Sequence, residues 1–122
     1  MPSPSHSVPV PSIYLAGSSW GCAFYIGVYR RLQQEWGEDF GRRCIVSGDS
    51  AGALMALGMS LAVPWQKMEE IYLRLALQAS ENGVMLRMSE YHDRALDSIL
   101  GEYPGAYREV SGRLFVGVTT FF

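Results

Sequence analysis

The sequence feature that most constrains the fold of this chain is Ser50, which lies two residues from a glycine on each side. It separates a stretch with a strand pattern from a stretch with a helix pattern. Residues 44–46 form a short β-branched run, and residues 51–62 are rich in alanine and leucine, as in a buried helix. The pattern therefore predicts strand, sharp turn and helix, with Ser50 at the turn. In a G-x-S-x-G nucleophile elbow this order projects the serine hydroxyl above the sheet. A structural turn that merely links strand to helix is the alternative.

The two glycines of this pattern have a steric purpose in that interpretation. Gly48 and Gly52 lack a Cβ, so backbone can approach closely on both sides of the turn. Asp49 and Ala51 complete the predicted elbow.

Composition limits the chain to one ordinary globular domain and excludes several function classes. The chain has 122 residues, 48% of them hydrophobic and 18% charged, which is enough for a single core. A net charge of −2 provides no basic patch, so we exclude nucleic acid as a partner. Cys22 and Cys44 have no metal-ligand spacing, so we predict reduced thiols and neither a metal site nor a cofactor.

The chain divides into a short leader and an α/β domain. Residues 1–11 are rich in proline and serine, which predicts a flexible leader without a secretory signal. From residue 12 onward, strand and helix patterns alternate. A strand over 13–16 precedes a helix whose stripe Phe24, Val28 and Leu32 we expect to pack on the sheet, with Gly37 as the helix stop.

Further helices are predicted before a final strand. Pro64 is placed in the first turn of an amphipathic helix that ends at residues 82–83, and Ser89 is predicted as the N-cap of another helix that stops at Gly101. Residues 113–122 are apolar on both faces, which predicts a central, buried parallel strand. Because this strand runs to Phe122 without a polar cap, we expect an interrupted domain.

Two turns of the predicted sheet carry residues suited to ester chemistry. The small-residue loop that begins at Gly17 follows the first strand, and the elbow follows the second. Both turns fall at the carboxyl ends of parallel strands, where ligands bind, so they should face one cleft. Attack of a serine on an ester creates an oxyanion, which free backbone N–H groups at a helix N-terminus stabilise.

These two co-linear motifs resemble the N-terminal part of a patatin-like phospholipase domain. The resembling residues lie at 17–22, 25–28, 48–54 and 114–119, and the match spans about 12–120. The resemblance implies an α/β three-layer sandwich with a mainly parallel sheet, and a Ser-Asp dyad that hydrolyses lipid acyl esters. It assigns the nucleophile to Ser50 and the oxyanion hole to the amides of Gly17, Ser18 and Ser19. The family has glycine where this chain has Ser19, so the backbone donors are retained only if φ stays negative there.

The general base is the part of the family pattern that the chain lacks. The family aspartate belongs to an Asp-Gly-Gly or Asp-Gly-Ala stretch, which does not occur in these 122 residues. Asp49 adjoins the nucleophile and should diverge from it, and Glu90, Asp93 and Asp97 have the spacing of a solvated helix face. We therefore expect these residues alone to be inactive or nearly so.

Three alternatives remain open. An α/β-hydrolase-type esterase would use His92 as base, although a surface histidine is expected there and the upstream His-Gly-Gly motif is absent. A non-catalytic lipid-binding or interaction module would keep the fold without the dyad, and the chain could also be an inactive fragment. The partner under the main hypothesis is a lipid ester at a membrane or lipid-droplet surface, reached from the cytoplasm.

Overall fold

The computed structural model of the chain describes residues 10–85 and 87–118. Most of the predicted leader, residues 1–9, and the end of the predicted last strand, residues 119–122, lie outside the described residues.

Three parallel strands form the sheet. They are β1 (Ser12–Leu15), β2 (Ile45–Asp49) and β3 (Leu114–Gly117), in the order β1-β2-β3. Each neighbouring pair is parallel, which confirms the predicted strand direction. The strand that carries the elbow is therefore central, and its end lies between the ends of the other two.

Five α-helices and two short 3-10 helices connect the strands. The α-helices are α1 (Ala23–Trp36), α2 (Ala51–Ser60), α3 (Trp65–Asn82), α4 (Met88–Leu100) and α5 (Ala106–Val110). The 3-10 helices are Ser19–Cys22, directly before α1, and Phe40–Arg43, directly before β2. The chain is thus a mixed α/β protein, as predicted.

A single core lies between the sheet and the helices. Leu15 and Val46 contribute to it from the sheet, and Met55 and Met59 contribute from α2. Tyr14, which neighbours Leu15 in β1, is 64% exposed, because successive strand residues point to opposite faces. The described residues therefore provide a sheet with helices over one face, and the third layer of a sandwich stays a prediction.

The buried face of α1 differs from the predicted stripe. Phe24 is 74% exposed, whereas the buried residues are Ile26, Tyr29 and Gln33. Gln33 is tolerated inside because its amide group donates to the Glu38 carbonyl and accepts from the Trp65 N–H. A buried polar side chain with hydrogen-bond partners loses little by leaving water. The predicted stripe is therefore wrong at Phe24, whereas Leu32 is half-buried and packs against the core.

The last described strand also differs from its prediction. β3 was expected to be central and buried, yet it pairs with β2 alone among the described strands. Phe115 is 54% exposed and Val116 is 51% exposed. The prediction of a buried strand is wrong for residues 114–117, because one edge and much of both faces of β3 are uncovered.

Some helix boundaries follow the predicted signals and others differ. Gly37 ends α1 with a φ of 98°, whereas Pro64 is the N-cap of α3 and not part of its first turn. α2 ends at Ser60, two residues before the end of the predicted helical stretch 51–62. However, α4 begins at Met88 with Arg87 as its N-cap, rather than after Ser89. The short helix α5 was not predicted, because the turn at residues 104–105 was interpreted as a simple reversal.

Candidate active site

Ser50 occupies the sharp turn between β2 and α2. Its backbone has a φ of 53° and a ψ of −128°, which is a strained conformation for a residue with a Cβ. The side chain is exposed and makes no capping hydrogen bond to α2. The predicted strand–turn–helix order is confirmed, and the backbone holds the hydroxyl at the helix N-terminus, as in a nucleophile elbow.

The glycines on either side of Ser50 permit close backbone packing. A Cβ on Gly48 would lie 2.5 Å from the Gly52 carbonyl oxygen, and a Cβ on Gly52 would lie 2.1 Å from that of Leu15. Real Cβ atoms do not approach backbone oxygens this closely. The expected close approach on both sides of the turn is thus confirmed, and it brings the end of β1 against the start of α2.

The loop over residues 16–20, here called the Gly17 loop, lies beside the elbow. A Cβ on Gly17 would be 3.2 Å from the Cβ of Ser50. Three side chains hold the loop. The Tyr25 hydroxyl donates to the Ala16 carbonyl over 2.9 Å, the Tyr72 hydroxyl donates to the Trp20 carbonyl over 2.9 Å, and the Gly17 N–H donates to Asp49 Oδ1 over 3.0 Å. The loop is consequently fixed to β2, α1 and α3.

The loop amides differ in their availability to an oxyanion. The Gly17 N–H is engaged by Asp49, whereas the N–H groups of Ser18 and Ser19 donate to no group within the described residues. The Ala51 N–H is a further donor. In the sequence analysis Ala51 was placed in the elbow but not in the oxyanion hole. This N–H belongs to the first residue of α2, where helix geometry supplies no acceptor.

The conformation of Ser19 contradicts one expectation. Its φ is +52°, not negative. The loop thus keeps the left-handed conformation that glycine adopts without penalty, and Ser19 adopts it at a cost of about 1–2 kcal/mol. The condition set for retaining the donors is therefore not met, and the Ser18 and Ser19 amides stay candidates because their N–H groups are unengaged among the described residues.

Ser50 opens onto a cleft of about 710 Å³. Leu54 and Leu57 of α2 line one part of it, and His92 and Asp93 of α4 line another. Such a volume is within the range of small-molecule sites. His92 was expected at the surface, but it is half-buried and faces the same cleft as Ser50. The sequence interpretation missed this because the packing of α4 beside α2 has no local signal.

A second, smaller cavity of about 70 Å³ lies deeper, between α2, α3 and α4. Leu54 and His92 line both spaces, so they separate the cavity from the cleft. Its walls are largely apolar and include Cys22, whose thiol pKa is raised by burial. The thiol is therefore protonated and a poor nucleophile at neutral pH.

No described side chain is hydrogen-bonded to the Ser50 hydroxyl. The Asp49 Oδ1 atom accepts from the Tyr14 hydroxyl over 3.0 Å and from the Gly17 N–H, and this hydrogen bond to Asp49 raises the pKa of Tyr14. Glu90 pairs with Arg94 on the exposed surface of α4. The expectation that Asp49 diverges from Ser50 therefore agrees with the geometry. Asp93 is exposed, as predicted for a solvated residue, and also lines the cleft.

Within residues 10–85 and 87–118, no three His, Cys, Asp or Glu side chains converge as metal ligands would. None of the helices described is both long enough and apolar enough to cross a membrane.

Comparisons with protein-family models, with curated proteins and with solved structures found no match to this chain. The resemblance to patatin-like phospholipases therefore rests on the residues quoted above.

Proposed function

We propose that this chain contributes the nucleophile side of a patatin-like lipid acyl hydrolase, with Ser50 attacking the ester carbonyl. The observation that carries the proposal is the strained turn at Ser50, whose φ is 53° in a residue that is exposed and beside a cleft. Strained backbones of this kind persist only where the surrounding structure enforces them, and they cluster at functional sites.

The Gly17 loop supports the same proposal. The unengaged N–H groups of Ser18 and Ser19, together with that of Ala51, are the donors that we assign to the oxyanion. Removal of one such donor typically costs about 3 kcal/mol of transition-state stabilisation. We propose a patatin-like three-layer sandwich as the complete fold, in which further elements cover the exposed face and edge of the sheet.

The proton acceptor distinguishes this proposal from a second candidate. The family resemblance assigns the role to an aspartate in a stretch that these 122 residues do not contain. His92 is the acceptor in the alternative, an α/β-hydrolase-type esterase, and its position in the cleft with Ser50 favours that alternative. A serine hydroxyl needs a base within hydrogen-bond reach. In a chain extended to the full domain, His92→Asn therefore separates the two candidates, because it abolishes ester hydrolysis only in the second.

A third candidate, a non-catalytic lipid-binding module, is favoured by the lack of a base on Ser50 among the described residues. Co-sedimentation with phospholipid vesicles and labelling with a fluorophosphonate test it together. A hydrolase forms an adduct that Ser50→Ala abolishes. A binding module co-sediments equally well with and without Ser50→Ala and forms no adduct. Under the main proposal the substrate is a glycerolipid ester at a membrane or lipid-droplet surface, on the cytoplasmic side.

A further inference from the structure

Asp49 connects the two halves of the candidate site. It is the last residue of β2 and directly precedes Ser50, while its carboxylate reaches across to the neighbouring strand and loop. Oδ1 accepts one hydrogen bond from the Tyr14 hydroxyl and one from the Gly17 N–H, each of 3.0 Å. These contacts span 35 and 32 residues of sequence, so one side chain ties β1 and the Gly17 loop to the elbow.

Two glycines leave room for Asp49 between the loop and β3. On the β3 side, a Cβ on Gly117 would lie 3.1 Å from the Cβ of Asp49. On the loop side, a Cβ on Gly17 would lie 3.3 Å from the Asp49 carbonyl oxygen. The loop and β3 can therefore approach residue 49 closely because neither has a side chain there.

We infer that Asp49 is a positioning residue, which holds the Gly17 loop at the distance from Ser50 at which the Ser18 and Ser19 amides meet an oxyanion. Hydrogen bonds to a charged acceptor are stronger than neutral ones, which suits a contact that fixes a loop. Its negative charge itself opposes an oxyanion, so the benefit comes from position and not from electrostatics. For its kinetic consequence, this inference rests on the proposed function.

The contact is tested in the unaltered protein by nuclear magnetic resonance. A scalar coupling across the hydrogen bond, between the Gly17 amide nitrogen and the side-chain carboxylate carbon of Asp49, is expected. Absence of this coupling, with other backbone hydrogen bonds detected in the same spectrum, overturns the inference. This measurement needs neither activity nor a variant that folds.

The consequence is tested with three variants and a fluorophosphonate, whose adduct resembles the tetrahedral intermediate. Asp49→Ala lowers the maximal phosphonylation rate constant by about 10- to 100-fold, because small misplacements of reacting groups cost up to about 100-fold, while the apparent affinity is unchanged. Asp49→Asn keeps a weaker, neutral acceptor oxygen and therefore loses less of the rate than Asp49→Ala. Asp97→Ala, an exposed carboxylate on α4 outside the cleft, is the matched control for lost charge and leaves the rate unchanged.

The outcomes separate the two proposals. Equal rates for Asp49→Ala and the unaltered protein overturn the positioning role. An equal loss in Asp49→Ala and Asp49→Asn also overturns it, since charge and not an acceptor would then matter. If the unaltered sequence forms no adduct in a chain extended to the full domain, the hydrolase proposal fails. The scalar coupling still decides whether Asp49 holds the loop, together with amide exchange at Gly17–Ser19 that is faster in Asp49→Ala than in Asp49→Asn.

Discussion

Replacing Ser50 by glycine should make the protein more stable than replacing it by alanine. Alanine keeps a Cβ at a φ of 53°, whereas glycine adopts this conformation freely. The strain relieved is about 1–3 kcal/mol, and the greater freedom of glycine in the unfolded chain offsets about 0.4–1 kcal/mol of it. No helix-capping bond is lost in either variant. The free energy of unfolding of Ser50→Gly should therefore be larger than that of Ser50→Ala by about 0.5–2 kcal/mol.

Ser111 supplies the matched control for this comparison. It is also exposed and also lies at a helix end, but its φ of −59° is ordinary. There, Ser111→Gly should be less stable than Ser111→Ala by about 0.5–1 kcal/mol. The two sites should consequently give opposite signs for the same pair of replacements.

Urea unfolding followed by circular dichroism measures both differences, with equal slopes required for the comparison. A thermal melt should show the Ser50 pair separated by about 4 °C for each kcal/mol. If Ser50→Gly is less stable than Ser50→Ala by the amount seen at Ser111, the backbone at residue 50 is unstrained. The reasoning that identifies a nucleophile elbow would then be refuted.

Two further predictions concern packing and pH. Gly52→Ala should destabilise the protein by about 3 kcal/mol or more, because its Cβ would lie 2.1 Å from the Leu15 carbonyl oxygen. The control Gly27→Ala places its Cβ where no atom lies within 4 Å, so it should stabilise α1 by about 1 kcal/mol. Denaturant titrations that give equal effects at both sites would contradict this prediction. The free energy of unfolding should fall as the pH rises above about 9, since burial raises the pKa values of Cys44 and Tyr29, and the unfolded chain then loses protons that the folded chain keeps. Unfolding curves that coincide at pH 8 and pH 10.5 would contradict it.

The sequence predicted those features that depend on neighbouring residues. The elbow was predictable because Gly48, Ser50 and Gly52 are close in sequence and their flanks have opposite periodicities. α3 was predictable for a similar reason, since its buried residues recur at helical spacing. Where local preference and tertiary packing agree, pattern reasoning is sufficient.

The remaining features depend on contacts between distant segments. Gln33 is buried because it meets Glu38 and the start of α3, and no local pattern shows that. Asp49 appeared as a neighbour of the nucleophile, yet its partners lie in β1 and the Gly17 loop. His92 shares a cleft with Ser50 through the packing of two helices. Such roles follow from tertiary structure and not from spacing.

The central claim is that Ser50 is a nucleophile, and covalent labelling tests it most directly. The chain, extended to the full domain so that the proposed aspartate base is included, is incubated with a fluorophosphonate, digested and mapped by tandem mass spectrometry, beside Ser50→Ala and the serine control Ser111→Ala. The account predicts one phosphonyl adduct, on the peptide that contains Ser50, which is lost in Ser50→Ala and retained in Ser111→Ala. A folded protein that acquires no adduct, or acquires one elsewhere, would contradict it.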